Sequence, residues 1–173
     1  MNMRCIVTGG AGFIGSYLVD RLIENGDSVT VIDNLSTGNI SFISQHLGKE
    51  NFKFVKGDIR DLDLLKKNVK GQDIVFHLAA NSEIRFASTQ PRVYLDQNIV
   101  GTFNVLQAMR IGNVKKIVFS SSATVYGDPE EVPTPESYGP LVPLSLYGAS
   151  KLACEGLITA YSHTYDIDSW IFR

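Results

Sequence analysis

The chain has 173 residues, 44% of them apolar and 20% charged, with a net charge of −2. These proportions suit one folded domain with a single sizeable core and exclude a disordered segment, while the lack of a basic surplus excludes a nucleic-acid-binding protein. No apolar run approaches the roughly 18–20 residues of a membrane span, and Gly9, Gly10 and Gly12 interrupt the N-terminal run that a signal peptide would need. Cys5 lies in an apolar run and Cys154 in a helical pattern, without any C-x-x-C. Two buried thiols in a reducing compartment are therefore expected rather than a disulfide or a metal site, with the cytoplasm as the location.

In chain order, β-rich runs occur at 4–8 (RCIVT), 28–32 (SVTVI), 52–55 (FKFV), 73–78 (DIVFHL), 116–121 (KIVFSS) and 167–172 (IDSWIF). Between them, segments at about 12–25, 61–69, 91–111 and 146–164 carry apolar residues at helical spacing. Short apolar strands alternating with helices predict an α/β fold, a doubly wound parallel sheet covered on both faces. Residues 33–51 leave room for a short helix between polar turns, and 127–144 hold four of the six prolines and no regular element. Phe172 and Arg173 stand where the carboxyl edge of the last strand is expected, the edge at which open α/β sheets bind ligands, so part of a site is expected to be missing.

TGGAGFIGS (8–16) places Gly9, Gly12 and Gly15 right after the first strand and at the start of a helix. In that context Gly9 makes a tight turn, Gly12 lets backbone approach a pyrophosphate, and Gly15 lets helix pack on strand, with the helix N-terminus facing the anion. Asp33 ends the second strand, matching the carboxylate that accepts from adenosine ribose hydroxyls and repels a 2′-phosphate, which favours NAD over NADP; it can also serve as a turn-former before Asn34. Asp58 follows the third strand, where it could accept from an adenine amino group with Ile59 beside the ring, or cap the helix beginning near Asp61. Leu78, Ala79 and Ala80 would let backbone lie against a dinucleotide. His77 fits a satisfied core histidine, His46 and His163 fall at unremarkable positions, and three scattered histidines predict no metal site.

Ser120, Ser121 and Ser122 cluster at the carboxyl end of the fifth strand, as hydroxyls for a substrate oxygen or as a polar strand end. The next helix begins near Ser145, a plausible N-cap, and Tyr147 and Lys151 at i and i+4 share one of its faces. That spacing alone does not distinguish a proton-transfer pair from two ordinary helical residues. What favours the pair is its place after the glycine turn, the strand-end Asp33 and the serine cluster.

With TGGAGFIGS, DNLSTG, GDIRD, HLAA, DQNIVGTFNVL, FSSSATVYGD and YGASK in this order, the chain resembles the extended short-chain dehydrogenase/reductase family in its NAD-dependent nucleotide-sugar epimerase/dehydratase branch. The resemblance implies an NAD-binding Rossmann fold over 1–173, truncated relative to the family and lacking the C-terminal substrate-binding region. It implies an NAD site lined by Phe13 and Ile14 with the glycine turn, Asp33, Asn34, Leu35, Ser36, Thr37 and Gly38, Asp58 and Ile59, the stretch from Leu78 through Ala79 and Ala80 to Ser82, and Asn98. Ser122, Tyr147 and Lys151 are its implied catalytic set. Ser122, Thr124 and Tyr147 would lie near the sugar, and Tyr147 and Lys151 near the cofactor as well.

The implied reaction inverts C4 of a UDP-hexose, interconverting UDP-glucose and UDP-galactose through a 4-keto intermediate. Tyr147 takes the 4-hydroxyl proton, Lys151 and the nicotinamide cation stabilise phenolate, and Ser122 holds the 4-oxygen. Family 4,6-dehydratases carry an Asp-Glu pair directly after the catalytic hydroxyl residue, where this chain has Ala123 and Thr124. Dehydration is accordingly disfavoured, whereas UDP-glucuronate epimerisation or decarboxylation, reduction, and a non-catalytic NAD-binding module stay open. The family also implies a homodimer with two helices packing between subunits.

Overall fold

The computed structural model describes residues 2–173, with Ile84 described by its backbone alone. Its strands are β1 (Arg4–Thr8), β2 (Ser28–Asp33), β3 (Phe52–Lys56), β4 (Ile74–His77), β5 (Lys116–Ser120) and β6 (Asp168–Phe172). They form one parallel sheet in the order β3-β2-β1-β4-β5-β6. The chain thus starts mid-sheet, winds outward to β3, then returns past β1 to β4 and winds to the opposite edge. Thr8 pairs with Ile32 on one side and with His77 on the other. The loops after β1 and β4 diverge there, which opens a crevice at the carboxyl ends of the strands.

Side chains alternate across the sheet, and each face has its own core. Cys5, Val7, Val29 and Val31 pack with Val19 and Leu22 of α1 (Phe13–Glu24). On the other face, Ile6, Ile32, Val75, Ile117 and Phe119 pack under α2 (Leu62–Val69), α3 (Gly101–Gly112) and α4 (Leu146–Tyr165), which contribute Leu65, Leu106, Met109 and Ile158. Both cysteines are buried free thiols.

Several elements differ from the sequence pattern. The helix expected over about 91–111 opens with wider π-type turns at Tyr94–Val100 before α3 begins. The short helix expected within 33–51 is present, as a 3₁₀ helix over Ile40–His46. His46 at its end is not unremarkable: it is buried, its Nε2 lies 2.5 Å from Asp20, and its Nδ1 lies 3.0 Å from Lys49 Nζ. The cap of α2 is Asp61, which accepts from Leu64 N at 3.0 Å, and not Asp58. Among the described residues β6 pairs with β5 alone, and Trp170 and Phe172 are exposed, so the sheet is not covered on both faces at this edge.

Candidate functional site

The glycine turn between β1 and α1 admits no substitute at two of its positions. Gly9 has φ +74°, and a Cβ there would lie 2.7 Å from Ala79 N; a Cβ on Gly15 would lie 2.2 Å from Gly9 O. The first residue allows β1 to turn against the β4 loop, and the second allows α1 to rest on that turn. No side chain caps α1 at Gly12. Its first N–H groups, which lack partners within the helix, therefore remain available to an anion.

These residues form one end of a cleft of about 310 Å³. Asp33 stands at the end of β2 with its carboxylate fixed from two sides, Ala11 N donating to Oδ2 at 3.0 Å and Leu35 N to Oδ1 at 2.8 Å. Each oxygen keeps a lone pair for a sugar hydroxyl. Further along the wall, Asp58 accepts from the Arg60 guanidinium at 2.8 and 2.9 Å and from Asn34 Nδ2 at 3.0 Å. Those bonds from Arg60, with Asn34, hold its carboxyl down to about 2. Asn34, Ser36, Thr37, Gly38, Ile59, Leu78, Ala79, Ala80 and Ser82 also line the cleft.

Asn81, within the expected Leu78–Ser82 stretch, and Tyr147 and Lys151, expected near the cofactor, do not line it, and neither do Leu35 and Asn98. Leu35, with φ 60°, is half-buried and packs against the core around α1. Asn98 is buried behind the wall, accepting from Asn81 N at 2.7 Å and donating to Asn81 O at 3.1 Å and Ser150 Oγ at 2.8 Å. It ties the loop after β4 to α4. Its neighbour Gln97 reaches the cleft, as do Ile32, Gly57 and Ser120, which the sequence pattern did not single out as lining.

Ser120 joins the cleft to the Tyr147–Lys151 helix. Ser145 caps α4 through Gly148 N at 3.0 Å, so Tyr147 sits in the first turn and Lys151 one turn further on. Lys151 is buried, and its Nζ donates to Ser120 O at 2.8 Å, lying 4.7 Å from the Phe119 ring centroid and 5.9 Å from that of Tyr147. Burial pushes this ammonium down to about 8, against the pull of Cys154 and Glu155. The Tyr147 phenol is pushed above its ordinary value by burial, opposed by a hydrogen bond with Ser122. Ser122 Oγ also accepts from Thr124 Oγ1 at 2.9 Å. Ser122, Thr124, Tyr147 and Lys151 are thus brought to one place, at the carboxyl end of β5.

His77 is a core residue. Its ring is fully buried between Thr8 Oγ1 at 2.7 Å and Thr102 Oγ1 at 2.9 Å, and burial, with Lys151 nearby, pushes it down to about 3. Among the described residues no cluster of His, Cys, Asp or Glu could hold a metal ion, and no helix is long and apolar enough to cross a membrane.

Sheet order, uncapped glycine turn and strand-end carboxylate together define a dinucleotide-binding protein of the Rossmann class. Residues 5–173 match the model of the NAD dependent epimerase/dehydratase family, and the chain belongs to that family. It is 43% identical over 162 residues to a UDP-glucose 4-epimerase of Streptomyces lividans, covering 92% of this chain and 47% of that protein. A UDP-N-acetylglucosamine 4-epimerase from Methanobrevibacter ruminantium superposes with a TM-score of 0.92 at 38% identity, covering 99% of this chain and 54% of that one. A dTDP-glucose 4,6-dehydratase from Streptomyces venezuelae, solved with NAD bound, does so with 0.92 at 36%, covering 98% and 54%. The chain spans about half the length of the relatives it matches. The family's cofactor is NAD. The residues present fit it: a glycine cradle that any Cβ would fill, a free helix N-terminus and a fixed carboxylate.

Proposed function

We propose that residues 1–173 form the NAD-binding Rossmann domain of a nucleotide-sugar 4-epimerase acting on UDP-glucose and UDP-galactose. The observation that carries this reading is the convergence of Ser122, Tyr147 and Lys151 beside Ser120 at the edge of the cleft. When bound, NAD supplies a two-electron hydride acceptor that can return what it takes. Gly9, Gly12 and Gly15 with the α1 N-terminus would hold its pyrophosphate and Asp33 its adenosine ribose.

The chain's own groups manage the proton. Tyr147 takes it from the sugar 4-hydroxyl and gives it back, while Ser122 hydrogen-bonds the 4-oxygen. A buried phenol above its ordinary value is a poor base near neutrality, so adjacent positive charge is required, and Lys151 is the buried ammonium nearest to hand. The similarity to a 4,6-dehydratase makes dehydration the competing reading. Ala123 and Thr124 supply no carboxylates for it, which favours epimerisation.

The test is a coupled assay with NAD-loaded protein and UDP-galactose, run beside dTDP-glucose. Formation of UDP-glucose is expected; turnover of another nucleotide sugar alone would overturn the substrate assignment. Tyr147→Phe should lower kcat by about 10²–10⁴-fold, the usual span for a lost acid–base group. Its NAD affinity, read by calorimetry, should hardly change.

A further inference from the structure

Glu155 is the buried charge that the proposed proton transfer leaves unexplained. It lies on α4 four residues after Lys151, only 5% exposed, among apolar neighbours Cys154 and Ile158. An ionised carboxylate in such a place is costly unless it is paired and hydrogen-bonded. Both conditions are met. Arg173 donates to it through Nη2 at 2.8 Å and Nε at 3.1 Å, and Ser121 Oγ donates to Oε1. Arg173 is itself steadied by Tyr126, whose hydroxyl lies 3.2 Å from Nη1 and whose ring centroid is 5.1 Å from Cζ.

Two successive turns of α4 therefore grip two successive residues of one chain segment. Lys151 holds Ser120 O and Glu155 holds the Ser121 hydroxyl, while Ser121 N donates to Phe172 O at 2.7 Å, bringing in β6. The residue that follows is Ser122, whose side chain lowers the Tyr147 phenol against the upward push of burial. Any slip of α4 along β5 would separate Tyr147 from Ser122.

We propose that Glu155, paired with Arg173, is a positioning residue of the proton-transfer site: it fixes the carboxyl end of β5 against α4 and sets an anion one helical turn from the Lys151 ammonium. The proposal rests on the reading of Tyr147 and Lys151 as the proton-transfer pair. Lys151 is faced by Tyr147, Cys154 and Glu155 from α4, by the Phe119 ring and Ser120 O from β5, and by His77 from β4. His77 is neutral above about 3, and the Cys154 thiol is pushed up by burial, so neither balances the ammonium near neutrality. Glu155, one helical turn from Lys151 on α4, is the carboxylate that raises it, and Arg173 shares that carboxylate.

The experiment is an NMR titration of the Lys151 13Cε resonance in the lysine-labelled 173-residue chain, assigned through Lys151→Arg. In Glu155→Gln, which keeps the size and hydrogen-bonding reach of the side chain, the midpoint should fall by about one pH unit. Glu155→Asp should restore part of the shift, and Arg173→Gln should move the midpoint upward by exposing the carboxylate to Lys151 alone. A folded Glu155→Gln whose midpoint moves by less than about 0.2 unit overturns the proposal. If Glu155→Gln does not fold, an unmoved Arg173→Gln midpoint overturns it instead. Because the titration needs no turnover, it separates this proposal from the functional reading. In the NAD-loaded epimerase assay, the alkaline limb of kcat/KM, where Lys151 loses its charge, should shift downward in Glu155→Gln; an unchanged limb contradicts the positioning role.

Discussion

Three consecutive serines run on from the last residue of β5, and each meets a different partner. Ser120 offers its carbonyl to Lys151, Ser121 gives its hydroxyl to Glu155, and Ser122 meets Tyr147 and Thr124. Ser120 also lines the cleft. On the opposite side of the cleft, Asp33 is held by two backbone N–H groups before any ligand arrives, which sets the carboxylate at low reorganisation cost. Asp33→Ala should therefore do two things in parallel calorimetric titrations: weaken NAD, and narrow its advantage over NADP, because the charge opposing a 2′-phosphate is gone. An unchanged NAD-to-NADP ratio would show that Asp33 acts as a turn residue only.

At the scale of elements, the site depends on how α4 is seated. Lys151 and Glu155 tie it to β5, and Asn98 ties it through Ser150 to the loop after β4. Asn98 also satisfies both main-chain groups of Asn81, a residue that lies between the cleft-lining Ala80 and Ser82. Asn98→Ala would leave Asn81 N and O buried without those partners, at a cost of about 1–3 kcal/mol for each unsatisfied group. Urea unfolding should register that loss, and NAD affinity should fall with it although Asn98 does not line the cleft. A stable variant with weakened NAD binding would point instead to direct contact.

For the whole molecule, the buried His77 couples folding to pH. Its folded value of about 3 lies below the ordinary 6.5, so the unfolded chain takes up this proton first as pH falls. The associated stability is complete above about 6.5 and is lost progressively from there down to about 3, by up to about 1.4 kcal/mol per pH unit. Asp58 acts only lower, below about 4, and its partly exposed pair with Arg60 contributes little. Urea midpoints at about pH 7 and about pH 5 should therefore separate, and His77→Gln should reduce the separation. Equal separations in both proteins would mean that other groups carry the pH dependence.

Local pattern was enough for the strands, for the glycine turn, for Asp33 at the end of β2, and for Tyr147 and Lys151 on one helical face. These follow from steric and periodic rules acting over a few residues, and the ordered set of motifs carried the family resemblance. Tertiary structure decided the rest, because it depends on which distant groups share a buried volume. Asn98 proved to be a clamp behind the cleft and Leu35 a half-buried residue against the core, as burial and hydrogen-bond satisfaction across long sequence separations assign such roles. Glu155 was legible only as one acid in a helical pattern. Its meaning comes from Arg173, 18 residues away, and Ser121, 34 residues away, meeting it where water is excluded and a charge must find partners.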